Sequence, residues 1–110
     1  MRDLKIAFRA LADTSRLGII QKLGGCDETT VTDLVGLVRM SQPLISWHLR
    51  ILRRAGLVRT RRKGRTVYCS LNRDRLFWVQ DEISKLAKGQ PIEEGNYSRG
   101  LLMAEKPLEA

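Results

Sequence analysis

Between Asp33 and Asp74 the chain has no acidic residue at all. Other shortages narrow the function before any motif is considered. The chain holds one histidine and two cysteines, Cys26 and Cys69, which match no metal spacing and are too few for a disulfide framework. No run of about 18 apolar residues exists to span a bilayer. The N-terminal stretch MRDLKIAFRA is amphipathic, carries an acid and lacks a signal-peptide hydrophobic segment. The expected setting is therefore a reducing cytoplasm, away from membranes. There is no nucleophile-base pair and no glycine-rich phosphate loop, so the reading is not an enzyme.

What is present is positive charge, and it is concentrated. Across 110 residues, 20 basic side chains face 12 acidic ones, a net +8. Such an excess favours a polyanionic partner. Half of the basic residues fall in the acid-free stretch: Arg39, Arg50, Arg53, Arg54, Arg59, Arg61, Arg62, Lys63, Arg65 and Arg73. The rest of the chain is slightly acidic, so the charge is a patch. The length supports one modest core, which places a single domain over residues 1–88 and a loose tail over 89–110. Within that tail, LLMA at 101–104 is the one apolar segment able to add a contact.

Apolar spacing predicts five helices. Leu4, Phe8 and Leu11 mark the first, over 3–12. Asp13 is placed to cap a second, carrying Leu17, Ile20 and Leu23 and ended by Gly24-Gly25. Thr30 with Asp33 opens a short third helix bearing Leu34 and Val38. Ser41 caps the fourth, with Pro43 in its first turn, where a missing N–H costs little. That helix buries Ile45, Leu49 and Leu52, and Ala55-Gly56-Leu57 suits a Schellman ending. LVRTRR and RTVYCSL then read as a hairpin around Lys63-Gly64, with Val67, Cys69 and Leu71 sharing one face. A last helix over 73–88 sets Leu76, Val79, Ile83 and Leu86 in a stripe. The expected fold is mostly α with a small β-hairpin wing, a winged helix-turn-helix.

Fixing Ile45, Leu49 and Leu52 inward turns Gln42, Ser46, Trp47 and Arg50 outward. Glutamine can pair with adenine and arginine with guanine, serine is an adaptable partner, and tryptophan can meet a thymine methyl. Free N–H groups after Ser41 offer a phosphate anchor. Arg61, Arg62, Lys63 and Arg65 crowd the wing tip, within reach of phosphates or a minor groove. The expected partner is double-stranded DNA. The expected function is that of a sequence-specific DNA-binding regulator; the alternative is a sequence-neutral architectural DNA-binding protein, which needs the same basic stripe but no base-reading helix.

LADTSRLGIIQKL, TVTDLVGLV, SQPLISWHLRILRRAGLV and RRKGRTVYCSL resemble successive blocks of the ArsR/SmtB family of winged-helix regulators, over about residues 6–88. The most specific block holds Ser46, His48, Leu49, Leu52, Gly56, Leu57 and Val58. The resemblance implies a homodimeric repressor on an inverted-repeat operator, joined through its first and last helices. It places Gln42, Pro43, Ser46 and Trp47 against DNA and Leu4, Phe8, Leu76, Phe77, Trp78 and Ile83 at the dimer interface. Phe77 and Trp78 also widen the last helix's apolar stripe beyond one face, which calls for a second partner. Pro43 and Leu44 stand where the family usually has small hydroxyl residues, and Trp47 where it has a basic or polar one. Base preference should differ accordingly.

The family's metal sites find no match. TVTDLVGLV replaces the sensor C-x-C helix, and Asp81 and Glu82 alone on the last helix do not make a transition-metal site. The expectation is no metal and no cofactor. His48 reads as structural, and Cys26 and Cys69 as inert small residues. Any effector is expected to be apolar or to act through a partner, entering between the first and last helices near Phe8, Phe77 and Trp78.

Overall fold

The computed structural model describes residues 1–92. The elements run α1 (Arg2–Leu11), α2 (Thr14–Gly24), β1 (Thr29–Thr30), α3 (Val31–Val38), α4 (Gln42–Arg54), β2 (Val58–Lys63), β3 (Thr66–Leu71) and α5 (Arg73–Ala87). LLMA at 101–104 lies outside the described residues.

Local chemistry sets most of these boundaries. The Asp13 carboxylate accepts from Arg16 N–H at 3.0 Å and starts α2. Thr30 Oγ1 accepts from Asp33 N–H at 3.1 Å and starts α3. Each such cap contributes about 1 kcal/mol by satisfying a donor that the helix leaves open. Arg39 ends α3 in the left-handed region, φ 55 and ψ 49, which costs a non-glycine residue about 1–2 kcal/mol. That bend lets the chain reverse within three residues into α4, capped by Ser41 Oγ. The far end of α4 is a Schellman closure. Gly56 N–H donates to Arg53 O at 2.9 Å and Leu57 N–H to Leu52 O at 3.0 Å, with Gly56 at φ 78.

The sheet holds a strand that periodicity could not reveal. β3 is central, pairing antiparallel with β2 and with the two-residue β1 (order β1-β3-β2). Lys63 pairs with Thr66, so the hairpin loop is Gly64-Arg65, one residue on from the expected tip. Its positive φ is confined to Gly64, at φ 62, which matches a II′ turn.

The larger core gathers Ile19, Leu23, Leu34, Ile45, Leu52, Leu57, Val58 and Cys69 from α2, α3, α4 and the sheet. Truncating any one of its leucines should cost about 2–5 kcal/mol. A smaller cluster, Leu4, Ala7, Trp78 and Val79, joins α1 to α5.

Three expected faces are rotated. On α2, Leu17 is 51% exposed and Ile19 is buried in its place. On α1, Ala7 and Ala10 pack inward while Phe8 is 38% exposed. On α5 the buried line is Arg75, Trp78, Val79 and Glu82, while Ile83 and Leu86 face outward. The physical reason is that α1 is small on two sides: Ala7 lets the Trp78 ring of α5 approach, and Ala10 packs into the main core.

Candidate nucleic-acid interface

Successive residues of a helix turn by about 100°, so α4 presents distinct flanks once its buried side is known. Ile45, His48, Leu49 and Leu52 are buried. The exposed crest is Pro43, Trp47, Arg50 and Arg54. Along the flank toward the wing, Gln42, Ser46, Arg50 and Arg53 line a cleft of about 380 Å³. Arg62, Arg65 and Thr66 of the hairpin form its other wall, and Thr32 at the start of α3 closes one end. No acid lines it among the described residues.

The acid-free stretch divides into two populations of cations. Four of them are tied into the fold. Arg53 donates to Thr60 Oγ1 at 3.1 Å, and Arg59 to Asn72 Oδ1 at 3.3 Å. Arg73 reaches the carbonyls of Gly24 and Cys26, both at 3.1 Å. Arg61 grips Glu28 with two bonds, at 2.8 and 2.7 Å, and stacks on Tyr68 at 4.2 Å. The side chains of Arg39, Arg50, Arg54, Arg62, Lys63 and Arg65 make no hydrogen bond or ion pair among the described residues, and all are exposed. A fixed cation with no local counter-charge is what a phosphate backbone neutralises best.

Arg61 stands apart from the rest of the expected wing set. β-strand alternation puts it on the face away from Arg62, beside Tyr68, where Glu28 takes up its charge. The Arg61 guanidinium holds the Glu28 carboxyl below its usual range, and Glu28 in turn raises Arg61. The α4 N-terminus is also a leaner anchor than expected. Pro43 has no N–H, Ser41 Oγ accepts from Leu44 N–H at 3.4 Å, and Ile45 N–H closes on Ser41 O. Gln42 N–H is the first-turn donor that remains.

A polar hub behind α4 escaped the sequence reading. Asn72 is buried; its Nδ2 donates to Gly56 O at 2.8 Å and its Oδ1 accepts from Arg75 N–H at 3.4 Å, capping α5. Arg75, also buried, donates from Nε to Ala55 O at 3.0 Å. The orphan carbonyls at the end of α4 are thus satisfied by α5. An Asn before a helical run is a visible cap signal; its second bond, to Gly56, is tertiary and has no local trace. Arg54, by contrast, was legible from spacing, because it stands on the same crest as Trp47 and Arg50.

His48 is buried, and desolvation pushes its pKa below the usual imidazole value, with Asp13 opposing and Arg16 assisting. Cys69 is buried, donates to Thr29 O at 3.4 Å, and burial pushes its thiol up to about 12. A thiol held so far from ionisation is a poor nucleophile and a poor ligand. Cys26 lies against the last carbonyls of α2. Glu82 is buried and accepts from Lys85 at 3.2 Å, while Asp81 is exposed. Among the described residues no three potential metal ligands converge.

Leu4 and Trp78, expected at a dimer interface, are buried inside the protomer, and Leu76 packs against its main core. Phe8, Phe77 and Ile83 are exposed, as is Leu86. An apolar groove of about 490 Å³ lies over α1 and the end of α5, lined by Met1, Leu4, Phe8 and Leu86 and rimmed by Arg2 and Lys5. It takes in Phe8 but neither Phe77 nor Trp78.

A capped helix presenting hydrogen-bonding side chains beside a cationic hairpin defines a winged helix-turn-helix protein. The model of the bacterial regulatory protein arsR family matches residues 13–60. The transcriptional repressor SdpR of Bacillus subtilis is 37% identical over 82 residues, covering 71% of this chain and 90% of the relative. The arsenical resistance operon repressor of Escherichia coli is 43% identical over 65 residues, covering 59% of this chain but only 56% of the relative. Among solved structures, the homodimeric winged helix-turn-helix DNA-binding domain Mb0332 of Mycobacterium bovis superposes with a TM-score of 0.64 at 27% identity, covering 84% of this chain and 89% of that one. NolR of Sinorhizobium fredii gives 0.63 at 32% identity, covering 77% and 84%. The chain belongs to the arsR family of bacterial regulatory proteins.

Proposed function

We propose that the protein is a transcriptional repressor that binds an inverted-repeat operator as a homodimer. The observation that carries this is the α4–wing cleft, where Gln42 and Ser46 stand beside Arg50, Arg62 and Arg65 with no acid among them. The cations hold the duplex; Gln42, Ser46, Trp47 and Arg50 of α4 meet base edges in the major groove. Lys63 and Arg65 at the hairpin tip reach the adjacent backbone. This division of labour favours a sequence-specific regulator over an architectural DNA-binding protein, and the named relatives favour it too. The reading is of a cytoplasmic, non-catalytic protein.

A two-fold operator needs two reading heads. The outward residues Phe8, Phe77, Ile83 and Leu86 on α1 and α5 are the surface for a second copy, with Leu4 and Trp78 as the packed layer beneath. Two heads joined this way should protect half-sites about one helical turn apart, roughly 10 bp, or a multiple of it.

The test is footprinting on the protein's own promoter, with unrelated duplex as competitor. A symmetric footprint that resists competition supports the repressor. Protection of a single half-site by a monomer, or displacement by random DNA at equal concentration, would show that the regulator reading is wrong.

A further inference from the structure

Arg16 sits in the first turn of α2, yet its guanidinium serves two other helices. Nε donates to Ala10 O at 2.7 Å and Nη2 to Arg9 O at 3.4 Å, the closing carbonyls of α1. Nη1 lies 3.2 Å from His48 Nδ1 on α4. Arginine only donates, so Nδ1 must be the acceptor and the imidazole must be neutral with its proton on Nε2. The same guanidinium stands over the ring of Trp47, 5.9 Å from its centroid. His48 meets that ring edge-on, with centroids 5.0 Å apart and planes at 61°.

Trp47 is the large side chain on the α4 crest, and it is 50% exposed. A half-exposed ring hops between rotamers unless neighbours hold it, and base reading needs it held before the groove arrives. Arg16 on one side and His48 on the other supply that support. A cation near the outer limit of ring contact is weak alone; its strength here comes from being fixed by three further bonds.

We propose that Arg16 is a positioning residue for base reading: it locks His48 and the ring of Trp47, and thereby ties the reading head to the end of α1. This rests on the reading of Trp47 as a groove-facing residue. It also gives α1 a direct mechanical link to α4. A shift of α1 against a second subunit withdraws the Arg9 and Ala10 carbonyls that hold the guanidinium in place.

The experiment is a double-mutant cycle between Arg16→Gln and Trp47→Ala, with melting temperatures recorded for each variant. The probes are a duplex selected from a randomised library by the unaltered protein and a random-sequence duplex. Trp47→Ala should weaken the selected duplex about tenfold and leave random DNA within about twofold. Arg16→Gln should do the same on its own, yet add less than about twofold on the Trp47→Ala background. Selection repeated with Arg16→Gln should return a broadened preference at one base position per half-site. Arg16→Lys keeps the charge but cannot span both α1 and His48, so it should behave like Gln; it carries the same cycle if the Gln variant does not fold. A loss that persists undiminished on the Trp47→Ala background, or that falls equally on random DNA, overturns the positioning role. No effect of Trp47→Ala on the selected duplex overturns the groove-facing reading itself and this inference with it.

Discussion

The α4–wing cleft and the α1/α5 face are built on one scaffold but leave opposite quantities unsatisfied. The cleft leaves charge: Arg50, Arg62 and Arg65 project with no acid beside them. The α1/α5 face leaves apolar area, with Phe77 57% and Ile83 48% exposed. Each is backed by an ordered layer. Behind the cleft, Asn72 bonds to Gly56 O and to Arg59; behind the apolar face, Leu4, Ala7, Trp78 and Val79 are packed. Residue type alone therefore does not make a binding surface. Arg61 and Arg62 are neighbours of identical chemistry, and one is neutralised by Glu28 while the other lines the cleft.

The apolar face offers the largest effect. Ile83→Asp places a charge on the face proposed to seat a second copy, and should break the link between two reading heads. Operator affinity should fall by at least about a hundredfold, because the second half-site loses its high effective concentration. Analytical ultracentrifugation should show a monomer. A variant that stays dimeric with unchanged affinity moves the interface elsewhere.

Within the cleft the contrast can be sharpened one arginine at a time. Arg62→Ala or Arg65→Ala should weaken operator and random DNA alike and flatten the salt dependence by about one unit each. Arg61→Ala should leave that slope within about 0.3 units, because its charge is already met by Glu28. Equal slopes for all three would mean that Glu28 releases Arg61 on binding. Gln42→Ala should act differently again, costing about 1–3 kcal/mol at one base position, read by competition among operator variants.

Acid probes the joint that both surfaces share. His48 has a folded pKa depressed below its ordinary 6.5, so the unfolded chain takes up its proton first as pH falls. Its contribution is fully present above about pH 6.5 and is lost as pH drops through the folded value. Thermal melts at pH 7.5 and pH 5 should show this destabilisation, and His48→Gln should remove it. A pH-independent difference between the two proteins would mean the imidazole is not the titrating group.

The smallest expected effect is none. Zinc, cadmium, arsenite or copper in micromolar excess should leave operator affinity within about threefold, since thiols and imidazole do not converge among the described residues. A stoichiometric release that Cys26→Ser or Cys69→Ser abolishes would return the chain to metal sensing.

Much of this was determined by the sequence alone, wherever the deciding energy is local. Asp13, Thr30 and Ser41 start helices because a side-chain oxygen meets an N–H three residues on. Gly56 ends α4 because it alone tolerates the closing turn without strain. Alternation along 66–71 and the 45–49–52 spacing placed the hairpin and the outward side of α4. The tertiary structure decided the rest, where partners are distant in the chain. Arg61 meets Glu28 33 residues away, Arg16 meets His48 across 32, and Arg73 meets Gly24 across 49. β1 exists because Thr29 and Thr30 find the open edge of β3, not because two threonines prefer to be a strand. Leu17 is exposed and Trp78 buried because the neighbours that α2 and α5 meet in the fold select which apolar residue is covered. An arginine reads the same in a sequence whether it is free or bonded, and only folding brings the acid, carbonyl or empty cleft that settles which.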